Sequence, residues 1–342
     1  MLRGAVIGCG PAGRTHLAAW ARVRTARIEC VLDLDPERAR RSARDFGIRR
    51  HFTDFDRMQA EARLDFADLA CGVDSQPALA ARALESGWHL LAETPLASSL
   101  EKASEIADQA EARGRRLMVA YAERWRSAFR ELKRALDSGA AGAAHYARIA
   151  DRRPLSRVHP CDPARPALDH ARHLLVLEGL TGHFDLIRWL FGDIRSVWGA
   201  AGHFNPAVKG EDFALAALRA GDAPVNVSLD VNWSGPLPER QLRPAPLPAV
   251  RVEGAAGSLE FDPQANSLLR RGHSGAPVEQ KLPPVPDLRL EPYVEMLGHF
   301  AECLESGKPM ENEGRTALEP LAAALAVYES ARTGGMVLLR KP

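Results

Sequence analysis

The run Gly8-Cys9-Gly10-Pro11-Ala12-Gly13 sets three glycines at the spacing Gly-x-Gly-x-x-Gly, and Asp33 ends the next apolar run. Each residue type has a physical reason to stand there. Gly8 permits a tight turn, Gly10 lets the backbone approach a bulky anion, and Gly13 lets a helix pack closely on a strand. An apolar run at 2–7 precedes the turn and a helical pattern follows from about Thr15. The turn should therefore open a helix whose amides and positive dipole end face a pyrophosphate. Asp33 can accept hydrogen bonds from ribose hydroxyls and would repel a 2′-phosphate, and Leu34 beside it offers no cation to hold one. These residues read as a dinucleotide site that favours NAD over NADP.

Other groups with chemical potential lie past the middle of the chain. His170 and His173 stand three apart with Asp169 beside them, but no third ligand follows at helical spacing, so no metal is expected. Arg152, Arg153, Arg157, Arg165 and Arg172 surround them; they contact an acidic substrate or form a solvated face of a proline-rich loop. Leu180, Phe184, Ile187 and Phe191 make an apolar stripe at helical spacing, while Glu178, Gly182, Asp185 and Trp189 share another face. His183 titrates near neutrality, but one residue rotates a helical side chain by about 100°. It therefore points away from the Glu178 face unless the helix begins later, which leaves a catalytic and a boundary role both open.

The elements that must position these groups follow from hydrophobic periodicity. Strands are expected at 2–7, 28–32, 66–70, 89–92 and 117–120, and the helices between them include one opened by Pro36, one at 76–86 and one at 100–112. Such alternation implies βαβ crossovers and a parallel sheet. Beyond Tyr121 the rhythm changes. A helix at 127–137, a strand at 144–149 and an irregular stretch at 151–166 lead to a helical region ending at Phe191. Strands then succeed one another at 197–201, 213–219, 225–231, 250–253 and 258–261, with turn signals such as Gly221-Asp222 that favour antiparallel pairing. Helices at 293–306 and 316–332 and an apolar run at 337–339 close the chain. The expected division is a Rossmann domain at 1–121 and a substrate and oligomerisation domain at 122–342.

A net charge of +1 gives no global attraction to nucleic acid or a membrane surface. No apolar run is long enough to span a bilayer, and the five cysteines form no CxxC pair. A soluble, unexported, cytoplasmic protein with free thiols is expected.

From the glycine turn onward the chain resembles the glucose-fructose oxidoreductase / inositol dehydrogenase / MocA (Gfo/Idh/MocA) family. Val31, Asp33, Asp35 and Pro36 in 31–39 look like its second-strand signature, and Glu93-Thr94-Pro95 in 84–97 lies where the family has Glu-Lys-Pro. The run 119–125, with Tyr121 and Arg124, is similar to the domain junction; 184–192, 252–258 and 328–334 also match. The resemblance implies an α/β N-terminal Rossmann domain and a C-terminal α+β domain with an open, mostly antiparallel sheet. It also implies hydride transfer between NAD(P) and a sugar, polyol or related carbinol or carbonyl, in a homodimer or homotetramer. It places the nicotinamide side of the cofactor at Cys71, Gly72, Gln76, Glu93 and Thr94, and a substrate contact at Arg124 and at Asp185. Gly72 and Gln76 replace a usual proline and histidine. The family's catalytic lysine, aspartate and histidine fall on Thr94, Glu178 and Gly182. Glu178, His173 or His183 would then be the base, with Thr94 an orienting donor. The alternative is a dinucleotide-binding member that has lost hydride transfer and serves as a sensor or assembly partner. A third reading keeps bound NAD for elimination, epimerisation or glycosidic cleavage.

Overall fold

The computed structural model describes residues 1–152, 173–206, 208–234 and 247–340. They divide into two compact units: Met1–Trp125 with Arg289–Leu321, and Arg126–Leu288 with Ala322–Lys341. Among the described residues no helix is long and apolar enough to cross a membrane.

The first unit is built on strands β1 (Leu2–Ile7), β2 (Ala26–Leu32), β3 (Arg50–Phe52), β4 (Phe66–Leu69), β5 (His89–Ala92) and β6 (Leu117–Val119). They pair in parallel in the order β3-β2-β1-β4-β5-β6. Helices α1 (Pro11–Trp20), α2 (Pro36–Asp45), α3 (Phe55–Glu61), α4 (Gln76–Glu85) and α5 (Leu100–Ala112) connect them. Covered on both faces, the central strands carry near-continuous apolar runs: Ala5, Val6 and Leu69 are fully buried. Sheet order reverses between β1 and β4, and such a fold binds its ligand outside the strands' carboxyl ends at that point.

Residues 289–321, which lie far along the chain from the Rossmann strands, pack with this first unit. Helix α8 (Glu291–Ser306; the second unit holds α6, Ser127–Asp137, and α7, Leu180–Phe191) sets Phe300 against Phe66, ring centroids 5.4 Å apart. Arg116 donates to the Cys303 carbonyl (2.8 Å) and pairs with the Glu313 carboxylate, and the Tyr121 hydroxyl donates to the Ala317 carbonyl (2.9 Å). The returning segment thus caps the β6 side of the sheet, and the N-terminal part of the first unit runs to Trp125.

In the second unit, β7 (Ala144–Arg152), β8 (Ile194–Gly202), β9 (Phe213–Ala220), β10 (Val225–Asn232), β11 (Ala249–Gly254), β12 (Gly257–Asp262), β13 (Ser267–Gly272), β14 (Val278–Lys281) and β15 (Val337–Leu338) form one sheet. Its order is β14-β13-β12-β11-β7-β10-β9-β8-β15, antiparallel except for the β7–β10 pair. Burial alternates along β10, so one sheet face meets the core and the other looks outward. The core face packs on Phe129 of α6 (Ser127–Asp137), on Phe184 and Ile187 of α7 (Leu180–Phe191), and on Val327 of α9 (Glu319–Thr333). Strands β3, β13 and β14 and helix α3 were not expected from periodicity; they are short or largely exposed, so the apolar signal is weak.

Candidate active site

The glycine turn sits at the carboxyl end of β1. Gly8 adopts φ +103°, a region costly for any residue with a Cβ, and its amide donates to the Leu32 carbonyl at 2.8 Å. A Cβ on Gly13 would lie 1.8 Å from the Gly8 carbonyl oxygen, so helix and turn touch there. A Cβ on Gly10 would meet nothing within 4 Å. That open space borders the start of α1, which begins at Pro11 rather than near Thr15. Proline at the first position wastes no donor, and the Ala12 and Gly13 amides have no carbonyl within the helix to bond.

Asp33 follows β2 and is half-buried. One carboxylate oxygen accepts the Cys9 amide at 2.8 Å and the other the Asp35 amide at 2.9 Å. Two backbone bonds fix the group and leave it further acceptor capacity. Leu34 beside it is 85% exposed. The glycine cradle, the free amides and the anchored carboxylate fit a dinucleotide with an unphosphorylated adenosine ribose. Burial pushes the thiols of Cys9 and Cys71 up to about 12, so neither supplies a thiolate at neutral pH.

The rest of the first unit's expected set lies at the ends of β4 and β5. A Cβ on Gly72 would also meet open space, and its carbonyl accepts the Ser75 and Gln76 amides at the start of α4. Gln76 is buried and donates to the Pro95 carbonyl at 2.7 Å, which ties α4 to the cis Thr94-Pro95 peptide; its side-chain oxygen is without a partner. Glu93 accepts the Thr94 amide at 2.8 Å. Behind it lie two residues that periodicity did not single out. His16 on α1 bonds Glu93 at 2.9 Å through Nε2 and Asp68 of β4 at 2.9 Å through Nδ1, and the Trp20 indole donates to Asp68 at 2.7 Å. A charge inside the apolar run 66–70 was the signal that could have found Asp68, because unpaired charges are not buried. Arg124 is 4% exposed with Nη1 3.3 Å from the Glu311 carboxylate.

In the second unit, a π turn over Leu175–Gly179 precedes α7. Glu178 belongs to this turn, so counting 100° per residue from 178 to 183 does not hold through it, and Glu178 does not share a regular helix face with Gly182 and Asp185. Glu211 organises the turn: one carboxylate oxygen accepts the Leu174 and Val176 amides, each at 3.0 Å, and the Tyr328 hydroxyl as well. Burial and that carboxylate push the Tyr328 hydroxyl far above its usual value, so it remains a donor. His173 is exposed, with its ring edge-on to Tyr328 at 4.6 Å. His183 is buried. Its Nδ1 lies 3.1 Å from the Gly179 carbonyl and its Nε2 2.9 Å from the buried Asp151 carboxylate, so both ring nitrogens are engaged. Asp185 is fully buried and Glu178 half-buried. Asp169, His170, Arg153, Arg157, Arg165 and Arg172 lie outside the described residues.

Residues 2–121 match the oxidoreductase family with an NAD-binding Rossmann fold, and 129–260 match the Gfo/Idh/MocA C-terminal domain. A D-apiose dehydrogenase of Paraburkholderia graminis is 31% identical over 99% of this chain and 90% of its own length. A second, of Rhizobium rhizogenes, is 27% identical over 98% and 97%. Among solved structures, an oxidoreductase from Agrobacterium radiobacter in complex with NAD+, L-tartaric acid and magnesium superposes with a TM-score of 0.90 at 27% identity, covering 98% of each chain. Levoglucosan dehydrogenase in complex with NADH and levoglucosan shares the fold, with a TM-score of 0.85 at 20% identity over 98% of this chain and 99% of its own.

Proposed function

The chain belongs to the Gfo/Idh/MocA oxidoreductases, and we propose that it is an NAD-dependent dehydrogenase of a sugar or polyol. The observation that carries the cofactor choice is the Asp33 carboxylate, fixed by the Cys9 amide beside an open glycine turn. The full-length likeness to two D-apiose dehydrogenases supports a carbohydrate carbinol as substrate and favours turnover over a sensor that only binds.

Bound NAD supplies the hydride acceptor. This chain's residues must take the proton of the substrate hydroxyl and orient its oxygen. We assign the proton to the Glu178 carboxylate. Both nitrogens of His183 face protein acceptors, the Gly179 carbonyl and the Asp151 carboxylate, so we assign it as a positioning residue for the turn that carries Glu178. Thr94 is assigned as an uncharged orienting donor, and Arg124, Asp185 and His173 as groups that shape the substrate environment. The four described cysteines, all free, suit a reducing cytoplasm, and the outward face of the large sheet suits assembly as a homodimer or homotetramer.

Incubation with NAD+ and a panel of pentoses, hexoses and inositols, followed at the nicotinamide absorbance band, tests the activity. Glu178→Gln should lower kcat about 10²- to 10⁴-fold, the usual contribution of a general base, while NADH affinity stays unchanged. NADH binding with no turnover on the panel would overturn the enzyme reading. Full activity in Glu178→Gln would overturn the base assignment alone.

A further inference from the structure

Asp68, His16 and Glu93 form a row of ionisable groups in the first unit that no step above uses. The side chains of His16 and Asp68 are 0% exposed, and that of Glu93, at 16%, alone reaches the surface. Nδ1 of His16 lies 2.9 Å from both Asp68 oxygens, and Nε2 lies 2.9 Å from one Glu93 oxygen. A neutral imidazole carries one N–H, and its other nitrogen would turn a lone pair toward a carboxylate; an imidazolium donates to both. The second Glu93 oxygen is left to accept the Thr94 amide at 2.8 Å.

We propose that His16 is a positioning residue for the nicotinamide end of the dinucleotide: doubly protonated between Asp68 and Glu93, it locks the Glu93 carboxylate against the Thr94 amide and so fixes the strand ends that border the nicotinamide ring. The proposal rests on the NAD reading of the glycine turn. Its placement follows from topology. Asp33 ends β2 and takes the adenosine ribose, so the opposite half of the dinucleotide runs over the carboxyl ends of β4 and β5, where Glu93 and Thr94 stand. The charged and titratable groups facing the His16 ring are Asp68 from β4, Glu93 from the end of β5 and Tyr293 from α8, whose ring centroid lies 5.2 Å away. Burial alone would lower the imidazole pKa. The Asp68 charge, then the hydrogen bonds to Asp68 and Glu93 and the Glu93 charge, raise it to about 10.

Two measurements on the full chain test this. In nitrogen-resolved NMR, the His16 ring, identified by its loss in His16→Gln, should keep both ring protons between about pH 6 and pH 9, whereas a free histidine loses one near pH 6.5. In fluorescence and calorimetric titrations, His16→Gln should weaken NADH about tenfold, as expected for one lost set of contacts. ADP-ribose, which lacks the nicotinamide, should change by less than about twofold. Should His16→Gln fail to fold, Glu93→Gln carries the same comparison and the same expected selectivity. A singly protonated ring at neutral pH, equal losses for both ligands, or no loss for either would overturn the positioning role. Wild-type protein that binds neither ligand would overturn the NAD reading and this proposal with it.

Discussion

Alanine at Gly13 should damage the fold, and alanine at Gly10 should damage only cofactor binding. A Cβ on Gly13 falls 1.8 Å from the Gly8 carbonyl oxygen and 2.9 Å from its carbon, both backbone atoms of a turn held by the bond from the Gly8 amide to Leu32. Relief requires the helix to leave the strand by more than an ångström. Overpacking of this kind costs about 1–3 kcal/mol, and the rigid partner points to the upper end. At about 2–4 °C per kcal/mol for a domain of this size, the first unit should melt roughly 6–12 °C lower. Gly10, at φ −70° with nothing within 4 Å of its Cβ, should accept alanine within about 0.5 kcal/mol in the free protein. The same methyl would occupy the space into which a pyrophosphate must come. Losing two charge-assisted amide bonds, at about 1.5–3 kcal/mol each, weakens NADH by at least about 100-fold. Ligand-free thermal melts and NADH titrations of the two variants supply both readings. Wild-type NADH affinity in Gly10→Ala would refute the placement of the pyrophosphate, and an unchanged melt in Gly13→Ala would refute the packing argument.

Asp33→Ser removes the carboxylate that repels a 2′-phosphate and should raise the NADPH-to-NADH affinity ratio by roughly one to two orders of magnitude, read by paired titrations; an unchanged ratio would detach Asp33 from the ribose. Thr94→Lys introduces a cation beside the Glu93 carboxylate and should raise kcat on the best polyol by about tenfold, if an uncharged donor at 94 limits polarisation of the substrate oxygen; steady-state rates at saturating NAD+ decide. His16, with a folded pKa raised to about 10 above an unfolded value of about 6.5, contributes stability that is complete below pH ~6.5 and disappears as pH rises to about 10. The first unit's melting temperature should therefore fall across that window in the wild type and show a flatter slope in His16→Gln.

What the chain reveals in one dimension depends on whether a residue's neighbours are close in sequence. The parallel sheet of the first unit was legible because strands buried on both faces read as apolar runs, and the glycine turn because φ +103° at Gly8 and the contact at Gly13 are local demands on residue type. The mostly antiparallel second sheet was legible from alternation, although the edge strand β14 and its neighbour β13, with mostly exposed outer residues, escaped it. The return of Arg289–Leu321 to the first unit was not legible, because the Arg116–Glu313 pair joins residues nearly two hundred positions apart. The π turn at Leu175–Gly179 was hidden too. Nothing in its composition distinguishes it from a helical turn, and its anchor, Glu211, lies in a loop before β9.

The two halves of the site are held by different physics, which bears on how position 94 can hold threonine. On the adenosine side the positioning groups are backbone: a turn in which Gly8 and Gly13 admit no Cβ, and a carboxylate fixed by two amides. Such a site tolerates little change of residue type. At the ends of β4 and β5 the positioning groups are side chains bonded to one another, Gln76 to Pro95 and Asp68 through His16 to Glu93. There the Glu93 carboxylate already has the His16 imidazole behind it and an amide beside it, so the loop's geometry does not depend on an ammonium at the next residue. The scaffold can keep its shape while residue 94 varies. A lysine placed at 94 would therefore change the chemistry of this unit and not its fold.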